Sequence, residues 1–449
     1  MGAVVSFLVQ AIAGLLFALG IATFVSLLKG CFVLRRMALA GRQDHSAAIL
    51  KSPLAPPVST IAIPPDASPE SLLFARRLLE LHFGRNEVVI VLDGPPESEL
   101  EVWRTEFRLC PSARIVAGKL PTAPVRGVYE SRDPIRVVVI DKEKGGPVDA
   151  WNAAINASTS PVIGLIDPQS EFQPDVLLRL IQPMVDSVDE TIAICGGVSA
   201  PPSAGLAAQF GALESLHAWM TRGAALAGRN RTLPFPGSVV LVQRSAVVQA
   251  GGFTGGALEL FVRLHGLALA IGKPYRIAFF PEPVSHIRTP KTRAELHLQV
   301  ERDQREIARA FFHRVATAGP YGWTILRGLF LVRAVRPWLE MAAYVLAIVG
   351  LAVGWVSIFA VLLVLLATVG MGIVLSMAAV VLREVAEPNS PDERRMAAMF
   401  FAAIPENLGY RQLRNLWLID GFRPPATPKK QHRGSSAKDR PPAVSAAAK

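Results

Sequence analysis

The stretch Pro161–Phe172, PVIGLIDPQSEF, decides the fold. Val162, Ile163, Leu165 and Ile166 surround Gly164 in a short uncharged run, the pattern of a strand buried on both faces. The run stops at Asp167, followed by Pro168, so the aspartate stands where a strand gives way to a loop. In an open α/β sheet, ligands bind beyond the carboxyl ends of the strands. An aspartate there either anchors a ligand or metal ion or caps the loop. The sequence on either side separates these two roles.

Further strands are predicted at Val58–Ile63, Glu87–Leu92, Arg136–Ile140, Thr191–Cys195, Ser238–Gln243 and Arg276–Phe280. Helical patterns lie between many of them, at Pro69–His82, Val148–Ser158, Asp175–Val185 and Gly205–Ala224. Alternation of this kind predicts a mainly parallel sheet with helices on both faces, an α/β domain over residues 58–318. Leu109–Pro134 reads as an irregular surface excursion.

The chain has 449 residues, 51% of them hydrophobic and only 18% charged, which is too apolar for an ordinary soluble enzyme. The excess sits at the two ends. Val4–Leu28 carries no charge and is long enough to cross a bilayer, and Lys29, Arg35, Arg36 and Arg42 follow it. That charge order predicts an uncleaved anchor over 1–30 with the next segment, linker 31–57, in the cytoplasm. Met341–Leu382 is uncharged and has the length of two crossings with a turn near Gly354–Trp355, giving a pair of spans over 338–382. Before it, 319–337 mixes apolar residues with arginines and reads as an interfacial helix. After it come a cytoplasmic amphipathic segment, 383–423, and a basic tail, 424–449, predicted to be disordered. The expected location is the inner (plasma) membrane, multi-pass, and the net charge of +11 suits contact with anionic lipid. No nucleic-acid-binding module is recognisable. Cys31, Cys110 and Cys195 are too scattered for a disulfide framework or a cysteine zinc site.

Eight segments share one further property. They are VSTIAIP (58–64), EVVIVLDG (87–94), KGGPVDAWNAAI (144–155), LIDPQSEFQPD (165–175), LPFPGSVVLVQRSAVVQAGGF (233–253), ALELFVRLHGLALAIG (257–272), QVERDQRE (299–306) and GYRQLRNLW (409–417). In this order, and framed by these apolar segments, the chain resembles a bacterial membrane-bound family 2 glycosyltransferase with a Rossmann-like GT-A fold. The resemblance implies transfer of a sugar from a nucleotide-sugar donor to a lipid or cell-surface polysaccharide acceptor, with a divalent cation, Mg or Mn, as cofactor.

It also implies roles for residues. Asp93, Gly145, Gly146, Asn152 and Asp167 fall at nucleotide-sugar-binding positions, although Asp93-Gly94 also has the composition of a plain turn. Asp167 matches the metal-binding motif, but Gln169 replaces its second carboxylate, and Pro147 replaces a lysine of the glycine loop. His286 is a further candidate metal or diphosphate contact, or a merely structural histidine. The family's Glu-Asp base falls on Gly256–Ala257, which have no proton-accepting side chain. Glu259 lies nearby, on a register that also suits an ion pair with Arg263. Gln299, Arg302 and Arg305 or Glu306 share a helix face, Gln299 and Arg302 being with Glu259 the catalytic candidates, and Asp303 replaces an aromatic residue of the acceptor path. The altered positions predict that activity is absent or unconventional. The alternative to a transferase is a pseudoenzyme that scaffolds an active synthase subunit.

Overall fold

The computed structural model describes residues 1–39, 55–132, 136–168, 170–187, 190–199, 205–228, 230–234, 237–272, 274–386 and 393–422. The predicted basic tail and most of the first linker lie outside these residues, as does Gln169.

After helix α1 (Gly2–Leu39) the chain alternates strand and helix: β1 (Val58–Ala62), α2 (Pro69–Leu79), β2 (Asn86–Asp93), α3 (Glu97–Glu106), β3 (Leu109–Pro111), β4 (Val125–Ser131), β5 (Arg136–Lys142) and α4 (Pro147–Ala157). Then follow β6 (Val162–Leu165), β7 (Ser170–Phe172), α5 (Val176–Asp186), β8 (Thr191–Ser199), α6 (Leu206–Ala218), β9 (Val240–Gln243), α7 (Arg244–Gln249), α8 (Ala257–Ile271) and β10 (Arg276–Ile287). The strands form one sheet in the order β3-β4-β5-β2-β1-β6-β9-β8-β10-β7. The run β5-β2-β1-β6 is parallel, as the alternation predicts. Around it the sheet is mixed, with β9 antiparallel to both β6 and β8.

Both faces of the sheet are covered, which explains the uninterrupted apolar strands. On β2, Val88, Ile90 and Leu92 enter one core with Phe74, Leu78 and Ile181. Val89 and Val91 enter the other with Ala153, Ile155, Ile163 and Phe261. The segment Leu109–Pro134 departs from expectation, since it contains β3 and β4. These edge strands are half exposed and lack a continuous apolar run, so periodicity does not reveal them. Strand β10 runs past its predicted end at Phe280 because register shifts around Pro283 absorb the prolines.

The remaining helices are α9 (Arg293–Phe330), α10 (Arg336–Ala352), α11 (Ile358–Leu365), α12 (Met371–Ala386), α13 (Glu393–Pro405) and α14 (Arg411–Gly421). Thr292 caps α9 by accepting from Glu295 N at 3.2 Å. The predicted interfacial helix is no separate element. Residues 319–330 continue α9, and a π-turn at Leu331–Val335 leads directly into α10. Among the described residues, three helical segments are long and apolar enough to cross a membrane: Gly2–Leu39, Leu326–Ala352 and Ile358–Ala386. Val9, Ala13 and Leu16 pack against Ala343, Ala347 and Ala360, while Phe7, Ile348, Phe359 and Leu362 point outward. An apolar outer face of this extent suits lipid rather than water.

Candidate functional site

At the carboxyl end of β6 the chain turns at Asp167, whose carbonyl accepts from Ser170 N at 3.0 Å and from Ser170 Oγ at 2.8 Å. Asp167 borders a cleft of about 250 Å³ together with Trp151, Phe253, Gly237, Gly256 and Glu306. Trp151 stacks on Phe253 with ring centroids 5.3 Å apart. Asn152 does not enter this cleft. It holds the Phe253 backbone at both ends, accepting from Phe253 N at 2.7 Å and donating to Phe253 O at 3.0 Å. Arg263 donates to the carbonyls of Ala250 and Gly252 in the same loop. Gly251 and Gly252 have φ of +81° and +71°, a conformation that disfavours side chains. The GGF loop is thus fixed from two sides, and it presents Phe253 to the cleft.

Both oxygens of Asp93 are engaged within the chain. Gly145 N donates to Oδ1 and Gly146 N to Oδ2, each at 2.8 Å. Lys142 Nζ lies 2.6 Å from Asp93 Oδ1 and 2.6 Å from Asp149 Oδ1, with no solvent exposure of its side chain. Burial pushes the Asp93 carboxyl up, but the Lys142 ammonium and the two glycine amides outweigh it and hold the group below its usual range. Lys142, at the end of β5, is a buried cation that sequence reading missed, and it is spent on Asp93 and Asp149 within the chain. Its position after RVVVID marks it as a lysine leaving a buried strand, and that is the available signal.

The start of α8 carries the largest surprise. Gly256 is its N-cap, with φ −78° and ψ 178°, an extended conformation open to any residue. The space a side chain would fill there is occupied: a Cβ built on Gly256 would approach Glu306 Cδ to 3.0 Å. Glu306, from α9, accepts from Leu258 N at 3.2 Å and so caps α8. Burial raises its carboxyl above the usual range, and nearby Asp167 pushes the same way, against Leu258 N, Arg222 and Arg309. Glu259 is buried, 3% exposed, and accepts from Thr254 Oγ1. It does not line the cleft.

The other candidates lie apart from the cleft. Arg302 is exposed on α9 and Gln299 half-buried. His286 sits on β10, opposite Glu171 of β7 and Ser199 of β8. Its Nδ1 is buried without a hydrogen-bond partner among the described residues. Among those residues no three histidines, cysteines or carboxylates gather into a metal site. The donor in the cleft is the carboxylate of Asp167, a hard oxygen ligand. That donor fits Mg or Mn held mainly by the phosphates of a bound nucleotide, the usual arrangement for Mg.

A second cavity, of about 370 Å³, lies between the membrane-spanning helices and α14. Arg222, Arg333, Arg336, Arg411 and Arg414 line it, together with Glu214, Glu340 and Glu406. Several arginines are already matched: Arg333 bonds Glu214 at 2.8 Å, and Arg336 bonds Glu340 at 2.8 Å. Asp303, on α9, is within electrostatic reach of Arg333, Arg222 and Glu214 of this cavity and of Glu306. Burial pushes its carboxyl up to about 7, against the pull of Arg333 and Arg222. Gly409, with φ +142°, allows the kink that turns α13 into α14. Tyr410 then stacks on Phe210, with centroids 4.7 Å apart, and Trp417 lies against His297 of α9.

Residues 122–205 match the sequence model of the family described as Glycosyl transferase family 2. Among solved structures, the chain is similar to the mannosyltransferase PcManGT from Pyrobaculum calidifontis, in complex with GDP-Man and Mn2+. The TM-score is 0.50 and the identity 17%, over 90% of this chain and 99% of that one. It also matches S. aureus TarS 1-349 in complex with UDP-GlcNAc, with TM-score 0.38 and 11% identity, over 79% of this chain and 92% of that one. No curated protein matches the sequence. The fold is GT-A-like, and the chain resembles the family 2 glycosyltransferases.

Proposed function

We propose that this chain is a membrane-associated family 2-type glycosyltransferase that moves a sugar from a nucleotide-sugar donor to the hydroxyl of a membrane lipid. The observation that carries the reading is the meeting of Asp167 and Glu306 in one cleft at the carboxyl end of the parallel strands. The stacked Trp151 and Phe253 give that cleft an aromatic wall suited to a sugar or base. Asp167, with the donor's phosphates, would hold a divalent cation, and that cation supplies charge neutralisation of the departing diphosphate. Helix α9 leads from the cleft to the spanning segment Leu326–Ala352, which favours a lipid acceptor over a soluble one. Domain 58–318 would face the cytoplasm, because Lys29, Arg35 and Arg36 follow the apolar stretch Val4–Leu28 within α1, with the spans in the inner membrane.

A second reading, a non-catalytic subunit beside an active synthase, is favoured by the internal use of Asp93. The test is turnover by purified full-length chain in mixed micelles of a total lipid extract, with a panel of radiolabelled UDP- and GDP-sugars. Expected is transfer that stops on adding EDTA and falls about 100-fold or more in Asp167→Ala. Nucleotide binding without transfer of any sugar would favour the scaffold.

A further inference from the structure

The carboxylate that the start of α8 lacks is supplied from α9. We propose that Glu306 is the general base of the transfer, and that the acceptor is therefore an alcohol rather than a phosphate. This rests on the transferase reading above. Three observations converge on it. Glu306 lines the same cleft as Asp167. Its carboxylate end occupies the volume that a Cβ on Gly256 would meet first, at a position whose extended backbone is open to any residue. Its bond from Leu258 N anchors the carboxylate at the amino end of the 15-residue helix α8. Gly256 is thus a glycine for room, and the room is taken by a proton acceptor.

The step balances. The acceptor O–H bond breaks and its proton passes to a Glu306 carboxylate oxygen. The freed electron pair forms the bond from acceptor oxygen to the anomeric carbon. The bond from that carbon to the diphosphate oxygen breaks, and its electrons leave with the nucleoside diphosphate. A phosphate acceptor is already anionic and would need no such base.

The experiment uses full-length chain in lipid-extract micelles, with UDP and GDP binding measured by calorimetry beside sugar transfer. Glu306→Gln is expected to lower kcat about 100-fold or more while nucleotide Kd stays within about threefold. Gly256→Asp alone should also impair transfer by crowding Glu306. Combining it with Glu306→Ala vacates the space and puts a carboxylate back at the start of α8. That double variant should recover at least tenfold over Glu306→Ala, a rescue no purely structural role predicts. Glu306→Asp serves as the control if the Gln variant does not fold. Wild-type transfer that persists in Glu306→Gln overturns the base and leaves the transferase reading standing. Nucleotide binding with no transfer to any lipid alcohol overturns the base and favours the scaffold. Absence of nucleotide binding overturns both.

Discussion

Glu340→Ala is expected to destabilise the membrane-side half of the chain by about 3–5 kcal/mol, the usual cost of removing one partner from a buried charge network. Glu340 is 1% exposed and lies on α10. It accepts from Arg336 Nε at 2.8 Å, from Arg411 Nε at 3.1 Å and from Asn415 Nδ2 at 2.7 Å. It therefore ties α14 to the second spanning segment. Removal leaves two buried guanidinium groups without their carboxylate. Thermal denaturation in detergent should show a lower midpoint. Replacing Arg336, Glu340 and Arg411 together by Met, Leu and Met should recover most of the loss, because the penalty comes from stranded charge rather than from a missing attraction. A midpoint unchanged in the single variant would show that water reaches the network.

Lys142→Met should have the second-largest effect, again about 3–5 kcal/mol at neutral pH, because it leaves Asp93 and Asp149 beside a buried apolar chain. The pH dependence carries a sign. The native Asp93 carboxyl is held below its usual range, so it contributes stability above the unfolded value, near pH 4, and loses it as pH falls through the lower folded value. In Lys142→Met the cation that lowers it is gone, and protonation relieves the exposed charge. The gap between variant and wild type should therefore narrow as pH falls below about 4 and through the lower folded value of the wild type. Urea unfolding of the full chain across that range measures it; a gap that widens contradicts the assignment.

The strand ending at Asp167 was legible because a strand covered on both faces leaves a continuous apolar run. The membrane helices were legible for the same reason, through length and lack of charge. The site was less so. Asn152 reads as a ligand contact, yet its amide is spent on Phe253, about a hundred residues away in sequence. Sequence shows a lysine lost at Pro147 and a base lost at Gly256. It does not show that Lys142 is buried between Asp93 and Asp149, or that Glu306 comes from α9 to lie against Gly256. Glu306 was visible as a face-mate of Arg302, but helix spacing cannot say which member of a face meets α8. A glycine at a position that wants a carboxylate, with an extra glutamate on a packed helix, is the signal to look for.

Helix α9 runs unbroken from Arg293 to Phe330, so Glu306 and the membrane belong to one rod. At 1.5 Å per residue the carboxylate stands about 30 Å from Leu326, where the spanning segment begins. Over that length a tilt of about 10° at the bilayer displaces the carboxylate by about 5 Å, more than a hydrogen bond. The π-turn at Leu331–Val335 carries this helix on into α10 without a break. Bilayer thickness, which sets the tilt of a spanning helix, becomes a setting of the catalytic geometry.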